Sequence, residues 1–294
     1  MRHGKMKRLH IVPGIDDAAN GLAVVARLLA KEQGDAEVVD LNDGLCCIDE
    51  ADCEEVWIHG MWLPKEWQAC KRVLKSKKKL VRMTHGSLSP IYLRRQGKWK
   101  KRLAGPVERF FLRRADMVVA TCQAEAEWIL KYEPRVTKIE VTDVKRFFDF
   151  SHKEHKERKG DGKLHLLYLG RRHPLKGLEF LEAAAREVEG CELRIVSNAL
   201  GEEKERVWEW CDVLVLPTLS ENFGLVVAEA LEHGKRVITT DGAPAWGDGN
   251  DYGGRLVYLN GYRNGSSEER VRLLKNAIEG LQDESGSCLD SKSV

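Results

Sequence analysis

No apolar run in this chain approaches the roughly 20 residues of a membrane-spanning helix. No C-x-x-C pair occurs among its eight cysteines, and Cys46 and Cys47 are merely adjacent. That spacing argues against a zinc site. Cys122, Cys191 and Cys211, in apolar contexts, read as reduced thiols of a cytosolic protein. Charge of one sign is also lacking. Lys plus Arg number 48 and Asp plus Glu number 46, so no global field points to nucleic acid. There is no G-x-G-x-x-G, which weakens a dinucleotide reading of the Ile15–Gly21 loop. There is no D-x-D, so a carboxylate-held divalent ion lacks its usual signature. The basic start, Met1 to Arg8, precedes a short apolar run that ends at Pro13–Gly14, which does not read as a secretory signal.

What is present is a strand–helix alternation. Hydrophobic residues make up 43% of the chain, enough for a real core. Strands are expected at Arg8–Pro13, Ala36–Leu41, Glu55–His59, Lys79–Met83, Met117–Thr121 and Thr137–Val141. Helices are expected at Gly21–Lys31, Glu66–Lys75, Trp99–Arg114 and Ala124–Tyr132. The strands are Val/Ile/Leu-rich without strict alternation, as buried parallel strands are. A charged stretch, 151–163, has nothing to bury and reads as a linker. The pattern then restarts, with strands at Leu164–Leu169, Glu192–Val196, Val213–Leu216, Arg236–Thr239 and Arg255–Leu259. Helices are expected at Gly177–Val188, Phe223–Leu231 and Ser267–Leu281, and a loose tail at 286–294. The expected architecture is α/β: two Rossmann-like doubly wound parallel-sheet domains, 1–150 and 164–285, facing across a cleft.

Four segments can carry chemistry. In the first, Leu216 to Leu231, a strand ends, a polar turn follows and a helix is expected from Phe223, with Asn222 as its N-cap. Glu221 precedes the helix and Glu229 lies two turns on. Eight helical steps span about 12 Å, roughly the reach from hexose to ribose in a nucleotide sugar. The helix start would suit a phosphate or sugar hydroxyl. A capped helix with a solvated Glu229 is the competing reading, although Ala228 and Ala230 make an idle acid less comfortable there. The second segment is Gly170-Arg-Arg-His-Pro-Leu-Lys-Gly177. Arg171 and Lys176 could stabilise a departing diphosphate, or could be a solvated basic loop. In the third, His59 and His85 each end a strand and precede a glycine, where a neutral His can donate to a substrate oxygen. The fourth, the Ile15–Gly21 loop, could lend amides to phosphate.

Together these residues resemble the group 1 (family 4) retaining glycosyltransferases, which have the GT-B fold. The E-x7-E pattern of that family matches at Glu221 and Glu229, and its G-R-x(n)-K-G pattern at Gly170, Arg171, Lys176 and Gly177. Its H-G-x-W and H-G-x-L-x-P runs, found in bacterial polysaccharide and lipopolysaccharide enzymes, match His59 to Trp62 and His85 to Pro90. The resemblance covers most of the chain. It implies that Arg171 and Lys176 hold the donor diphosphate and that Glu229 binds the ribose. Glu221, Asn222, Phe223, Gly224 and Leu225 would hold the donor sugar, and the loop at Gly21 would close on the diphosphate. His85 would assist transfer, and His59, Trp62 and Ser87 would lie on the acceptor side. It further implies a retaining, metal-independent hexosyltransferase with no cofactor, using a UDP-, GDP- or other nucleotide-sugar donor and a glycan or lipid-linked acceptor. A catalytically degenerate nucleotide-sugar-binding module and a UDP-sugar epimerase are the alternatives.

Three features depart from the family pattern. Asn20–Gly21 stands where paired glycines are usual. Only sixteen residues separate Val196 from Val213, where relatives place another strand–helix unit near the base. Ala245 splits the usual Pro-Trp. The basic segment 94–102 reads as a solvated face, or next as a peripheral membrane contact on the cytoplasmic side, and last as a nucleic-acid patch.

Overall fold

The structure, a computed structural model, describes residues 7–17, 20–95, 98–151, 162–197 and 199–290. Contacts divide the chain into two compact units, Met1–Phe147 and Phe148–Val294.

The first unit runs β1 (Arg8–Val12), α1 (Gly21–Gln33), β2 (Ala36–Asp40), α2 (Leu41–Glu50), β3 (Glu55–His59), α3 (Pro64–Lys75), β4 (Lys79–Met83), α4 (Pro90–Arg95), α5 (Lys98–Arg114), β5 (Met117–Ala120), α6 (Gln123–Tyr132) and β6 (Ile139–Val141). Its six strands are all parallel, in the order β2-β1-β3-β4-β5-β6. The inner strands carry the apolar runs, and Ile11, Ile58, Leu80 and Val118 are fully buried. Helix α1 starts on the Asn20 side chain, which accepts from Leu22 N, and stops where Gly34 turns left-handed at φ 72°. Its buried stripe is Ala23, Ala26, Leu29 and Ala30, the spacing of one helical face. The chain leaves β1 to one side for β2 and returns on the other for β3. That switch sets the loops after β1, β3 and β4 side by side at the carboxyl ends of the sheet.

The second unit runs β7 (Leu164–Leu169), α7 (Leu178–Arg186), β8 (Cys191–Val196), α8 (Gly201–Trp210), β9 (Val213–Leu216), α9 (Leu225–Glu232), β10 (Arg236–Thr240), β11 (Leu256–Leu259) and α10 (Ser267–Asp290). Its five parallel strands lie in the order β11-β10-β9-β7-β8, with the switch between β7 and β9. Strands β7 and β9 are buried at every position, which explains their unbroken Leu/Val runs.

Several expectations change. The break falls before Phe148 rather than after residue 150: Phe148 stacks on Phe223, and Arg255 donates to the Phe150 carbonyl at 3.0 Å. Most of the expected linker, 152–161, lies outside the described residues. As the spacing indicated, the usual extra strand–helix unit is missing between Val196 and Val213: the described residues there hold one helix, α8, and no strand. Helix α10 runs on to Asp290, past Gly286 where a loose tail was expected; residues 291–294 are outside the described set. Helix α9 begins at Leu225, not Phe223, and its cap is Gly224 in the left-handed region, not Asn222. The Glu221–Glu229 span is therefore helical only in its second half. Within the basic segment 94–102, Arg95 and residues 96–100 fall outside the described side chains, and Lys101 folds back. Its Nζ donates to the Tyr92 carbonyl at 2.7 Å and sits 3.5 Å from the Tyr92 ring centre. Among the described residues no helix is long and apolar enough to cross a membrane.

Candidate functional site

In the second unit the loops after β7, β9 and β10 are tied together by close backbone approach. A Cβ on Gly177 would collide with the Pro217 carbonyl oxygen, and one on Gly242 with the Thr218 carbonyl oxygen. Leu219 N donates to Leu175 O at 2.8 Å, and Glu221 N to Gly242 O at 2.8 Å. These bonds bring Lys176 and Glu221 into a direct ion pair across loops 45 residues apart in sequence. Asn222 N donates to Glu221 Oε1 at 3.1 Å, which orients that carboxylate. Trp246 Nε1 donates to Phe223 O, so the Phe223 carbonyl is occupied and its ring is buried against Trp246. Gly224, at φ 73°, turns the chain into α9; Val227 N donates back to Gly224 O at 2.9 Å, while the amides of Leu225 and Val226 precede any acceptor of the helix. Arg171 is exposed on the same loop as Lys176, and its carbonyl accepts from Tyr168 Oη at 2.9 Å.

Glu229, one turn into α9, is not solvated alone. Lys204 Nζ of α8 lies 2.8 Å from its Oε1, and each side chain keeps about a quarter of its exposure. Sequence reasoning missed Lys204 because it sits in a highly charged helix, Gly201 to Trp210, where no single lysine stands out.

In the first unit the two expected histidines are joined by a third. His10 Nδ1 lies 2.9 Å from His59 Nε2, and His59 Nδ1 lies 2.8 Å from His85 Nε2. At the far end His10 Nε2 meets Gln33 Oε1 at 2.8 Å. His10 and His59 are fully buried. Burial lowers the pKa of His10 to about 4 and that of His85 to about 3, and holds His59 well below the ordinary value. His85 nonetheless keeps partial exposure. Expected on the acceptor side, His59 is instead fully buried with both ring nitrogens bonded to other histidines. His10 was legible as a polar residue inside an apolar strand, Leu9-His-Ile-Val12, but was not singled out.

His85 holds a left-handed backbone, φ 48°, unusual for a residue with a side chain. The buried Glu125, near the start of α6, fixes that turn. Its Oε1 accepts from Thr84 Oγ1 at 2.6 Å and Gly86 N at 2.5 Å, and its Oε2 accepts from Thr121 N and Oγ1 at 2.8 and 2.7 Å. Ser87 lies in the same turn, its N–H donating to Thr84 O at 3.1 Å. Glu125 is a second residue that spacing did not reveal.

Trp62 is held more by the interior than by an acceptor face. Its N–H donates to Glu108 Oε1 at 2.6 Å, and its ring packs edge-on to Tyr132. Glu108 is fully buried with Arg82, 3.2 Å away, and also accepts from Trp67 Nε1 at 2.8 Å. Gly21 opens α1, but much of the loop before it is already satisfied. Gly14 N and Ile15 N donate to the Asp40 carboxylate at 2.9 and 3.0 Å. Desolvation opposes ionisation of Asp40, yet donors from Asn42, Ile15 and Gly14 hold its pKa below the usual value. Of the loop expected to lend amides to phosphate, Ile15 N is thus taken by an internal carboxylate, and residues 18 and 19 lie outside the described set. Among the described residues no group of three or more His, Cys, Asp or Glu side chains is arranged for a metal ion.

Two α/β units, each built on an open, wholly parallel sheet, are the architecture of the GT-B fold. Residues 144–276 match the family model "Glycosyl transferases group 1", and residues 21–144 match "Glycosyl transferase 4-like domain". The chain belongs to this group 1, family 4 class of glycosyltransferases. No curated protein matches it in sequence. Solved structures share its fold at low identity. Anabaena Alr3699/HepE, in complex with UDP and glucose, has a TM-score of 0.62 and 14% identity over 97% of this chain and 100% of that one. Sucrose-phosphate synthase from Thermosynechococcus elongatus has a TM-score of 0.64 and 15% identity over 98% and 100%. The catalytic domain of starch synthase IV from Arabidopsis thaliana, bound to ADP and acarbose, has a TM-score of 0.60 and 10% identity over 97% and 98%.

Proposed function

We propose that this glycosyltransferase moves a hexose, with retention and without a metal, from a nucleoside-diphosphate sugar to a glycan or lipid-linked acceptor in cell-surface polysaccharide or lipopolysaccharide assembly. The Lys176–Glu221 pair carries the reading. It sets a cation and a carboxylate side by side beside the amides of α9. A diphosphate needs the first and a sugar hydroxyl needs the second. The UDP and ADP bound to HepE and starch synthase IV support a nucleotide donor here.

In this reading Lys176 and Arg171 neutralise the diphosphate as its bond to the sugar C1 breaks. The acceptor oxygen bonds to C1 on the same face, and its proton passes to the departing phosphate oxygen. Glu221 accepts from the sugar hydroxyls, and Glu229 from the ribose. Each of the two carboxylates is paired with a lysine, Glu221 with Lys176 and Glu229 with Lys204.

Incubation with UDP-, GDP- and ADP-hexoses and short glycan or lipid-linked acceptors, followed by NMR of the product, tests this. An α-linked donor must give an α-linked product, and Lys176→Ala must abolish it. A β-linked product would overturn retention. Donor binding with no transfer to any acceptor would favour a binding module, a reading that the lone helix between β8 and β9 supports.

A further inference from the structure

We infer that Gln33 is a positioning residue that sets, through two buried imidazoles, which ring nitrogen of His85 carries the proton. The identity of the ligand that His85 meets rests on the function proposed above; the proton arrangement does not.

The inference follows from donor and acceptor logic along one row. Gln33 Oε1 can only accept, so His10 Nε2, 2.8 Å away, carries a hydrogen. A neutral ring has one N–H, so His10 Nδ1 is a lone pair and must accept. Its partner at 2.9 Å, His59 Nε2, therefore carries a hydrogen. The same step repeats: His59 Nδ1 accepts from His85 Nε2 at 2.8 Å. His85 Nδ1 is left as a lone pair. A row of neutral rings has two self-consistent states, all protonated at Nε2 or all at Nδ1, and the group at position 33 selects between them. An imidazolium at His59 would donate to both His10 Nδ1 and His85 Nε2 and so leave His85 with its own hydrogen at Nδ1, a third arrangement of the same contacts. Burial disfavours that form at all three rings.

The rings are held in place. His10 stacks on Trp57 with centroids 4.9 Å apart and planes 20° from parallel. His59 is fully buried. His85 is aimed by its left-handed backbone, which Glu125 fixes from both sides through Thr84 and Gly86. Among the described residues no protein group meets His85 Nδ1, and the residue keeps partial exposure at the carboxyl end of β4. The row therefore presents an acceptor, suited to a hydroxyl that donates, such as a sugar hydroxyl. On this inference His85 accepts from the ligand, where the sequence reading has a neutral His donate to a substrate oxygen.

Long-range 15N–1H correlation spectra of the full-length, 15N-labelled protein at neutral pH report the tautomer of each histidine directly. His10, His59 and His85 should all show the Nε2–H pattern. Any of the three showing Nδ1–H in the unaltered protein overturns the inference, whether or not any variant folds. Gln33→Glu, which can only accept, should keep the pattern. Gln33→Lys, which can only donate, should switch His85 to Nδ1–H in a protein whose circular dichroism is unchanged. An unswitched His85 in folded Gln33→Lys would equally overturn it. With a nucleotide-sugar donor, Gln33→Lys should lower kcat/KM by 10-fold or more while Gln33→Glu stays within 3-fold. If the unaltered protein binds no donor, the proposed function fails and the tautomer result still stands.

Discussion

Gly177 lies so close to Pro217 that a single methyl group at position 177 would occupy the space of the Pro217 carbonyl oxygen. Its φ of 64° also belongs to the left-handed region. Two independent constraints thus demand glycine one residue after the lysine of the site. Gly177→Ala should destabilise the protein by about 2–4 kcal/mol, combining backbone strain and overpacking. The urea midpoint measures this. A midpoint equal to that of the unaltered protein would show that the two loops are not held together as described.

Arg82 and Glu108 form a fully buried ion pair that also anchors Gly60 O, Trp62 N and the Trp67 ring. Glu108→Ala leaves the guanidinium charged and unpaired in the core, at a cost of about 3–5 kcal/mol. Replacing both partners with apolar residues should cost less than either single change. Urea denaturation of the two single variants and the double variant reads this coupling, and simple additivity would refute it.

Acid should unfold the protein through its histidines. The folded-state pKa of His10 is about 4, below its ordinary 6.5, so its contribution is present above pH 6.5 and is lost as pH falls toward 4. That shift corresponds to roughly 3 kcal/mol. His85, at about 3, acts in the same direction. Glu66 works against them: burial raises its pKa to about 7, so its contribution is present below its ordinary 4.5 and is lost as pH rises to 7. Thermal melts across pH 4–7 should show Glu66→Gln more stable than the parent near pH 7 and His10→Asn less sensitive to acid. An unchanged acid slope in His10→Asn would remove His10 from this account.

Lys204 and Glu229 pair at a partly exposed site, so the pair itself is worth about 1 kcal/mol or less. Lys204→Ala should barely shift the melting temperature. By the proposed function, Glu229→Ala should weaken donor binding by roughly 10- to 100-fold, the value of hydrogen bonds to a charged group. Calorimetry with the preferred nucleotide sugar decides this, and undiminished affinity in Glu229→Ala would withdraw the ribose role.

Much of this molecule was legible from local pattern. Buried parallel strands declare themselves as Val/Ile/Leu runs, so Leu164–Leu169 and Val213–Leu216 were readable in place. Helix α2 was missed because Leu41 to Glu50 follows β2 without a break and carries a glycine and several polar residues. The α9 start was misplaced by two residues, because Asn222 looks like a cap while the chain turns instead at Gly224. Glu221, Lys176 and His85 were visible as chemistry. Their partners were not: Lys204 lies 25 positions before Glu229, and Gln33 lies in a different element from each histidine of the row.

By itself, then, the sequence determined the two runs of alternating strands and helices, the residue types at the strand ends and the family they mark. Those depend on neighbours along the chain, where apolar period and turn chemistry act within a few residues. Only the tertiary structure decided which polar groups meet. Parallel pairing sets His10 two register positions behind the end of β3 and the left-handed turn at residue 85 aims a third ring at His59, so a hydrogen-bonded row forms from residues 49 and 26 positions apart. Hydrogen bonds act over about 3 Å, and the spacing of residues in sequence carries no record of that distance.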